Sequence, residues 1–247
     1  MLRTVFLISL LLVSHSVLPQ DKSDSPGKSA TSLHTPWENL LQEHVQDDGR
    51  VDYNGFLKDR QRLNSYLGAL ALNPPQEDWT PQARMAYYIN LYNAGTVALI
   101  LENYPVKSIR DIDRPWAKKR VRVGTEWLSL SDIEHKILRK IGDARIHFAI
   151  NCASISCPKL PEYAFTEAEI ESQLERAARG FINDPERNTL NADKAEVSKI
   201  FKWFRSDFKA DEGSLVEYLN RFLEKPIPKG TSVGFLPYDW ALNDIDP

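Results

Sequence analysis

From Met85 to Leu101 (MAYYINLYNAGTVALIL) the chain carries no charged residue. A helix that is apolar on most faces is buried on most faces. Thr80 suits the cap and Pro81 the first turn, and Tyr104-Pro105 closes the run. The pattern predicts a buried central helix over about 80–103. Amphipathic stretches flank it. Pro36–Gln46 reads as a helix starting at Thr35-Pro36. Phe56–Leu72 carries Leu57, Leu63, Leu67 and Leu70 at helical spacing and stops at Asn73-Pro74-Pro75. Ser131–Ile141 places Ile133, Ile137, Leu138 and Ile141 on one side. Thr166 reads as the cap of a helix to about Phe181, and Ser214–Leu223 as one more.

Extended pieces are short. Arg50–Tyr53 is one, and Lys119–Val123 with Glu126–Leu130 predicts a hairpin around Gly124-Thr125. Arg145–Ile150 alternates as a strand does, with Ile146, Phe148 and Ile150 on one face and Arg145, His147 and Ala149 on the other. Asn188–Lys199 and Val233–Trp240 complete the set. Helices outnumber strands, and the strands are not regularly interleaved. The expected fold is therefore α+β, a single mostly helical domain with a small sheet.

Met1–Gln20 departs from this pattern. Arg3 followed by the apolar run Val5–Val13 reads as a secretory signal, too short for a comfortable membrane span. Asp21–Thr35 is small, polar and proline-bearing, and reads as a flexible linker. The folded domain is expected over 36–247, with a periplasmic or secreted location and no integral span once the signal is cut. With 247 residues, 42% of them hydrophobic, the chain suffices for one sizeable core. A net charge of -3 supplies no basic field for nucleic acid.

Export changes how Cys152 and Cys157 are read, because that compartment permits disulfides. One reading pairs them. A second makes Cys152 a nucleophile, since it follows the His147 segment and an imidazole beside a thiol favours thiolate; it requires no cofactor. A third gathers His135, His147, Cys152 and Cys157 around zinc, although their spacing matches no standard finger or ribbon. Asn151 continues the face of His147. Asn90 and Asn93, three apart on the central helix, share a face. They either brace neighbouring loops or orient the imidazole or a substrate carbonyl. Ser131 and Glu134 have capping-box spacing, which would explain Glu134 structurally, while His135 sits at the edge of the apolar stripe. Asp239, within Tyr238-Asp239-Trp240, could orient a histidine as a triad acid does.

Tyr88–Ala94 (YINLYNA), Tyr104–Ile109 (YPVKSI), Leu128–Arg139 (LSLSDIEHKILR) and Arg145–Ser154 (RIHFAINCAS) with Cys157-Pro158 resemble the blocks of the DUF547 family. Phe201–Phe204 and Tyr238–Asn243 are similar to later blocks, so the resemblance runs over most of 36–243. The family includes exported bacterial proteins and domains joined to other modules in eukaryotes. The resemblance singles out Asn90, Asn93, Glu134, His135, His147, Asn151 and Cys152. It also implies that the position of Cys157 is more often Ser, which favours a thiol role for Cys152 without a sulfur partner. The reading taken forward is a Cys/His thiol-dependent hydrolase or acyltransferase, with Cys152 as nucleophile, His147 as base and Asn90 or Asn93 orienting. Its rivals are a non-catalytic envelope module with a Cys152–Cys157 disulfide, and a zinc-stabilised site.

Overall fold

A computed structural model describes residues 30–191 and 194–246. Met1–Gln20 and residues 21–29 of the expected linker lie outside the described residues. The central helix is α4 (Pro81–Asn103), capped as expected by the Thr80 hydroxyl, which accepts the Ala83 N–H at 3.0 Å. Its charge-free run is buried on nearly all sides. Each large apolar side chain so buried contributes about 1.5–3 kcal/mol. Against it pack α1 (Ala30–His44), α2 (Tyr53–Lys58) and α3 (Arg60–Leu72).

The helix α1 starts five residues before Thr35, so residues 30–35 belong to the fold and not to the linker. The anchor is His34, buried, with its Nδ1 2.8 Å from the Tyr66 hydroxyl. That contact holds the turn upstream of Pro36. The expected 56–72 helix is two helices. It begins earlier because Asp52 caps α2 by accepting the Gly55 N–H at 2.7 Å, and it breaks at Asp59.

The predicted hairpin is present as β1 (Val121–Val123) and β2 (Glu126–Leu128), paired Val121 to Leu128 across a turn where Gly124 has φ 58°. There follows a π-helical stretch, Asp132–Leu138, which runs into the single turn α5 (Arg139–Ile141). A second layer comprises α6 (Ile170–Ile182), β3 (Thr189–Leu190), β4 (Lys194–Val197), α7 (Ile200–Trp203), α8 (Arg205–Glu212), α9 (Leu215–Phe222) and β5 (Ser232–Phe235). Here β4 pairs antiparallel with β3 and parallel with β5. Thr166 does not cap α6. Its N–H goes instead to the buried side chain of Gln173 at 3.0 Å, and the helix starts at Ile170. The fold is α+β, with no helix among the described residues long and apolar enough to cross a membrane.

Two apolar clusters make the core, one around α4 and one around Phe148, Phe181, Phe201 and Phe208. Ala144–Phe148 bridges them, and it is a 3-10 helix, not the strand expected over 145–150. Asp143 starts the turn by accepting the Arg145 N–H at 2.9 Å. Ile146, Ala149 and Ile150 then enter the first cluster and Phe148 the second. A segment buried on both sides carries no reliable period, so its alternation was not a strand signal.

Candidate active site

Asn90 and Asn93 brace loops. Asn90 Nδ2 donates to Phe165 O at 2.7 Å, and its Oδ1 accepts the Phe165 N–H at 3.0 Å. Asn93 Nδ2 donates to Ala149 O at 2.9 Å, while its Oδ1 accepts the Asn151 N–H at 2.8 Å. Both amides are thus spent on backbone, as buried amides must be, and neither holds the imidazole. Asn151 continues the job, donating to Pro158 O at 2.7 Å and accepting the Ala153 N–H at 2.8 Å.

The loop so held presents Cys152. Ala153 sits at φ 57°, a left-handed conformation unusual for a residue with a Cβ. Arg187 clamps the far side, donating to the carbonyls of Cys157 at 3.2 Å and Ile155 at 3.1 Å. Neither cysteine is bonded to another. Their sulfurs stand 2.7 Å apart, and the Cys152 N–H donates to the Cys157 sulfur at 2.8 Å. The Cys152 sulfur also meets Ser154 Oγ at 3.2 Å and the Tyr238 hydroxyl at 3.3 Å. The hydrogen bond from Cys157, then those from Ser154 and Tyr238, hold the Cys152 thiol below its ordinary pKa against its burial. Burial pushes the Cys157 thiol the other way. One sulfur of the pair is the acid and the other stays a thiol.

His147 is buried and stacks on Phe204, ring centres 3.9 Å apart. Its orienting partner is Asp207, at 2.9 Å from Nε2. Arg139 grips the same carboxylate with two N–H bonds, both 2.7 Å. Those bonds hold the Asp207 carboxyl far below the usual range. A carboxylate only accepts, so Nε2 carries the proton and Nδ1 the lone pair. That Nδ1 is buried and has no hydrogen-bond partner among the described residues. Burial lowers the His147 pKa, opposed by Asp207, which leaves a neutral imidazole with a basic nitrogen free. Asp239 does not take the triad acid's place. It accepts the Ala241 N–H at 2.9 Å in the C-terminal tail.

Glu134 is not part of a capping box. Ser129 and Asp132 form it, with the Asp132 N–H donating to Ser129 Oγ at 3.0 Å and the Ser129 N–H donating to Asp132 at 3.0 Å. Ser131 makes no cap bond. The π-helical stretch instead turns Glu134 inward, with the Tyr92 hydroxyl 3.4 Å from Oε2. Burial pushes the Glu134 carboxyl up to about 7. Extra-wide turns of this kind recur at functional sites.

Cys152, His147, Glu134 and His135 all line one cavity of about 250 Å³. Its remaining walls are chiefly aromatic, including Trp116, Trp203, Phe204 and Trp240. No hydrogen bond joins His147 to Cys152 among the described residues, and Asn90, Asn93 and Asn151 lie behind the walls. A larger cavity of about 460 Å³ lies beyond Pro158, lined by Lys159, Arg176, Asp47 and Glu162 among others, and no Cys, Ser, Thr or His among the described residues lines it. Among the described residues, no three of His135, His147, Cys152 and Cys157 bring ligating atoms within 4.8 Å of one another, so the zinc arrangement is not formed. Among the described residues, Glu43, His44 and Asp59 alone cluster in that way. Arg62 already pairs with both of those acids, at 2.6 and 3.2 Å.

Residues 76–182 match the family model described as "Protein of unknown function, DUF547". Over that stretch the chain is similar to DUF547. No curated protein and no solved structure matches it. The DUF547 match takes in Cys152, His147, Glu134, His135 and all three asparagines, and is shorter than the 36–243 span of the sequence resemblance. Asp207, Trp203, Tyr238 and Trp240 lie downstream of it. The sequence offered little signal for Asp207: it sits 60 residues from His147 in a short helix where charge dominates.

Proposed function

We propose that the cavity is the active site of a thiol-dependent hydrolase or acyltransferase with Cys152 as nucleophile. The observation that carries this reading is an acidified thiol opening on the same cavity as a buried, Asp207-oriented imidazole with a free Nδ1. A Cys152 thiolate attacks an acyl carbonyl carbon and the carbon–leaving-group bond breaks. The leaving group takes a proton, and water or an acceptor then cleaves the acyl–sulfur bond. His147 relays protons and Asp207 orients it, the role first assigned to Asn90 or Asn93. At neutral pH a half-protonated Glu134 can give a proton as well.

Hydrolysis of a panel of activated esters and acyl thioesters tests this. Cys152→Ala is expected to lose activity by about a hundredfold or more at unchanged folding, and Asp207→Asn by about ten- to a hundredfold. Full activity in folded Cys152→Ala sinks the reading.

The 2.7 Å approach of the two sulfurs supports a second reading, an envelope module stapled by a Cys152–Cys157 disulfide. Alkylation of the denatured, unreduced protein, read by intact mass, separates the two. Two adducts fit the nucleophile, and none fits the staple. Both readings take Met1–Gln20 as an export signal and the periplasm or exterior as the location, which the N-terminal sequence of protein from the envelope fraction checks.

A further inference from the structure

Glu134 is a buried acid that forms no ion pair among the described residues. It is 8% exposed, and among the described residues its carboxylate has one hydrogen-bond partner, the Tyr92 hydroxyl at 3.4 Å. The neighbouring guanidinium of Arg139 gives its paired N–H groups to Asp207. No Lys or Arg among the described residues lines the cavity. The two imidazoles that do, His135 and His147, are held below their ordinary pKa mainly by burial and are uncharged at neutral pH.

The same cavity has an aromatic wall. Trp203 stacks on Trp240 at 5.6 Å, Tyr238 lies 4.5 Å from Trp240, and Trp116 meets Trp240 edge-on at 5.8 Å. Such rings present negative faces. Two of the cavity's rings already carry a cation of the protein's own: Arg110 lies 5.4 Å from the centre of Trp240, and Arg139 5.4 Å from that of Phe204. An anionic ligand would face Glu134 directly. A neutral apolar one would leave its carboxyl dehydrated and unpaired, which is costly. An organic cation satisfies both surfaces, its charge on the carboxylate and its alkyl groups on the rings.

We propose that this cavity binds an alkylammonium group, with Glu134 as its counter-ion and the Trp203, Tyr238 and Trp240 wall as its cation–π face. The volume of about 250 Å³ suits a methylated or primary ammonium head with a short chain. The inference concerns binding alone and stands whether or not Cys152 is a nucleophile.

The test is a titration of the full chain at pH 8, where Glu134 is ionised, with choline and n-butylammonium. Their neutral counterparts, 3,3-dimethylbutan-1-ol and butan-1-ol, are run alongside. Tryptophan fluorescence reports binding and calorimetry confirms it. At least one cation should bind about tenfold or more tighter than its neutral counterpart. Glu134→Gln should abolish that preference while leaving the alcohols unchanged. Trp203→Ala, at a position 45% exposed, should weaken the cation severalfold while the far-UV circular dichroism stays that of the parent. Equal affinity for cation and alcohol, an unaffected Glu134→Gln, or no saturable binding of either cation overturns the proposal. Cys152→Ser is titrated in parallel. Cation binding retained there, without any esterase or thioesterase activity in the parent, would overturn the thiol reading alone.

Discussion

Glu134 ties the cavity to the stability of the fold. Its carboxyl is raised by burial from an ordinary 4.5 to about 7. A group that binds its proton more tightly when folded stabilises the native state below its unfolded pKa, and that contribution is lost as pH rises through the folded value. The loss therefore runs between about pH 4.5 and 7 and amounts to roughly 3 kcal/mol at most. Glu134→Gln removes it. Urea unfolding should show the variant gaining on the parent by about 2–3 kcal/mol between pH 4 and pH 8. His147 titrates with the opposite sign, because its pKa is lowered, but it is common to both proteins and cancels in the difference. A constant gap between the two curves would mean that Glu134 is not held in its protonated form by the fold.

At the scale of elements, the asparagines of α4 set the loop that carries Cys152. Asn93→Ala would leave the N–H of Asn151 and the carbonyl of Ala149 buried without a partner, at a cost of about 2–4 kcal/mol. Its urea midpoint should fall accordingly, and iodoacetamide should reach Cys152 faster in the native protein. The pair was legible in the sequence as two amides on one helix face, because helical spacing fixes what shares a face. The helix itself was legible for the same kind of reason: a long uncharged run with a cap at one end and proline at the other has few alternatives. Arg145–Ile150 alternates without being a strand, because alternation marks a strand only when one side is wet. Ser131 and Glu134 had the spacing of a capping box, yet Ser129 and Asp132 made it, since spacing alone does not say which hydroxyl reaches the free N–H.

For the whole molecule, chemistry and enclosure come from different stretches of chain. The cysteines, His147 and Glu134 lie within 76–182, while Asp207, Trp203, Tyr238 and Trp240 come from beyond it. Contacts of that separation leave no trace in local pattern, which is why the orienting acid and the aromatic wall were not legible. The C-terminal tail completes the enclosure by pairing with the cysteine loop. Ile155 N–H donates to Ala241 O at 2.9 Å, and Asn243 N–H to Ala153 O at 3.3 Å. A ribosome makes a chain from its amino end. On a nascent copy that has not reached position 238, the two sulfurs are already present, but the Tyr238 hydroxyl, the Trp240 ring and the tail's hold on the loop are not. The sulfur is thus made before the residues that shelter it, and its enclosure waits on a segment more than eighty residues further along the chain.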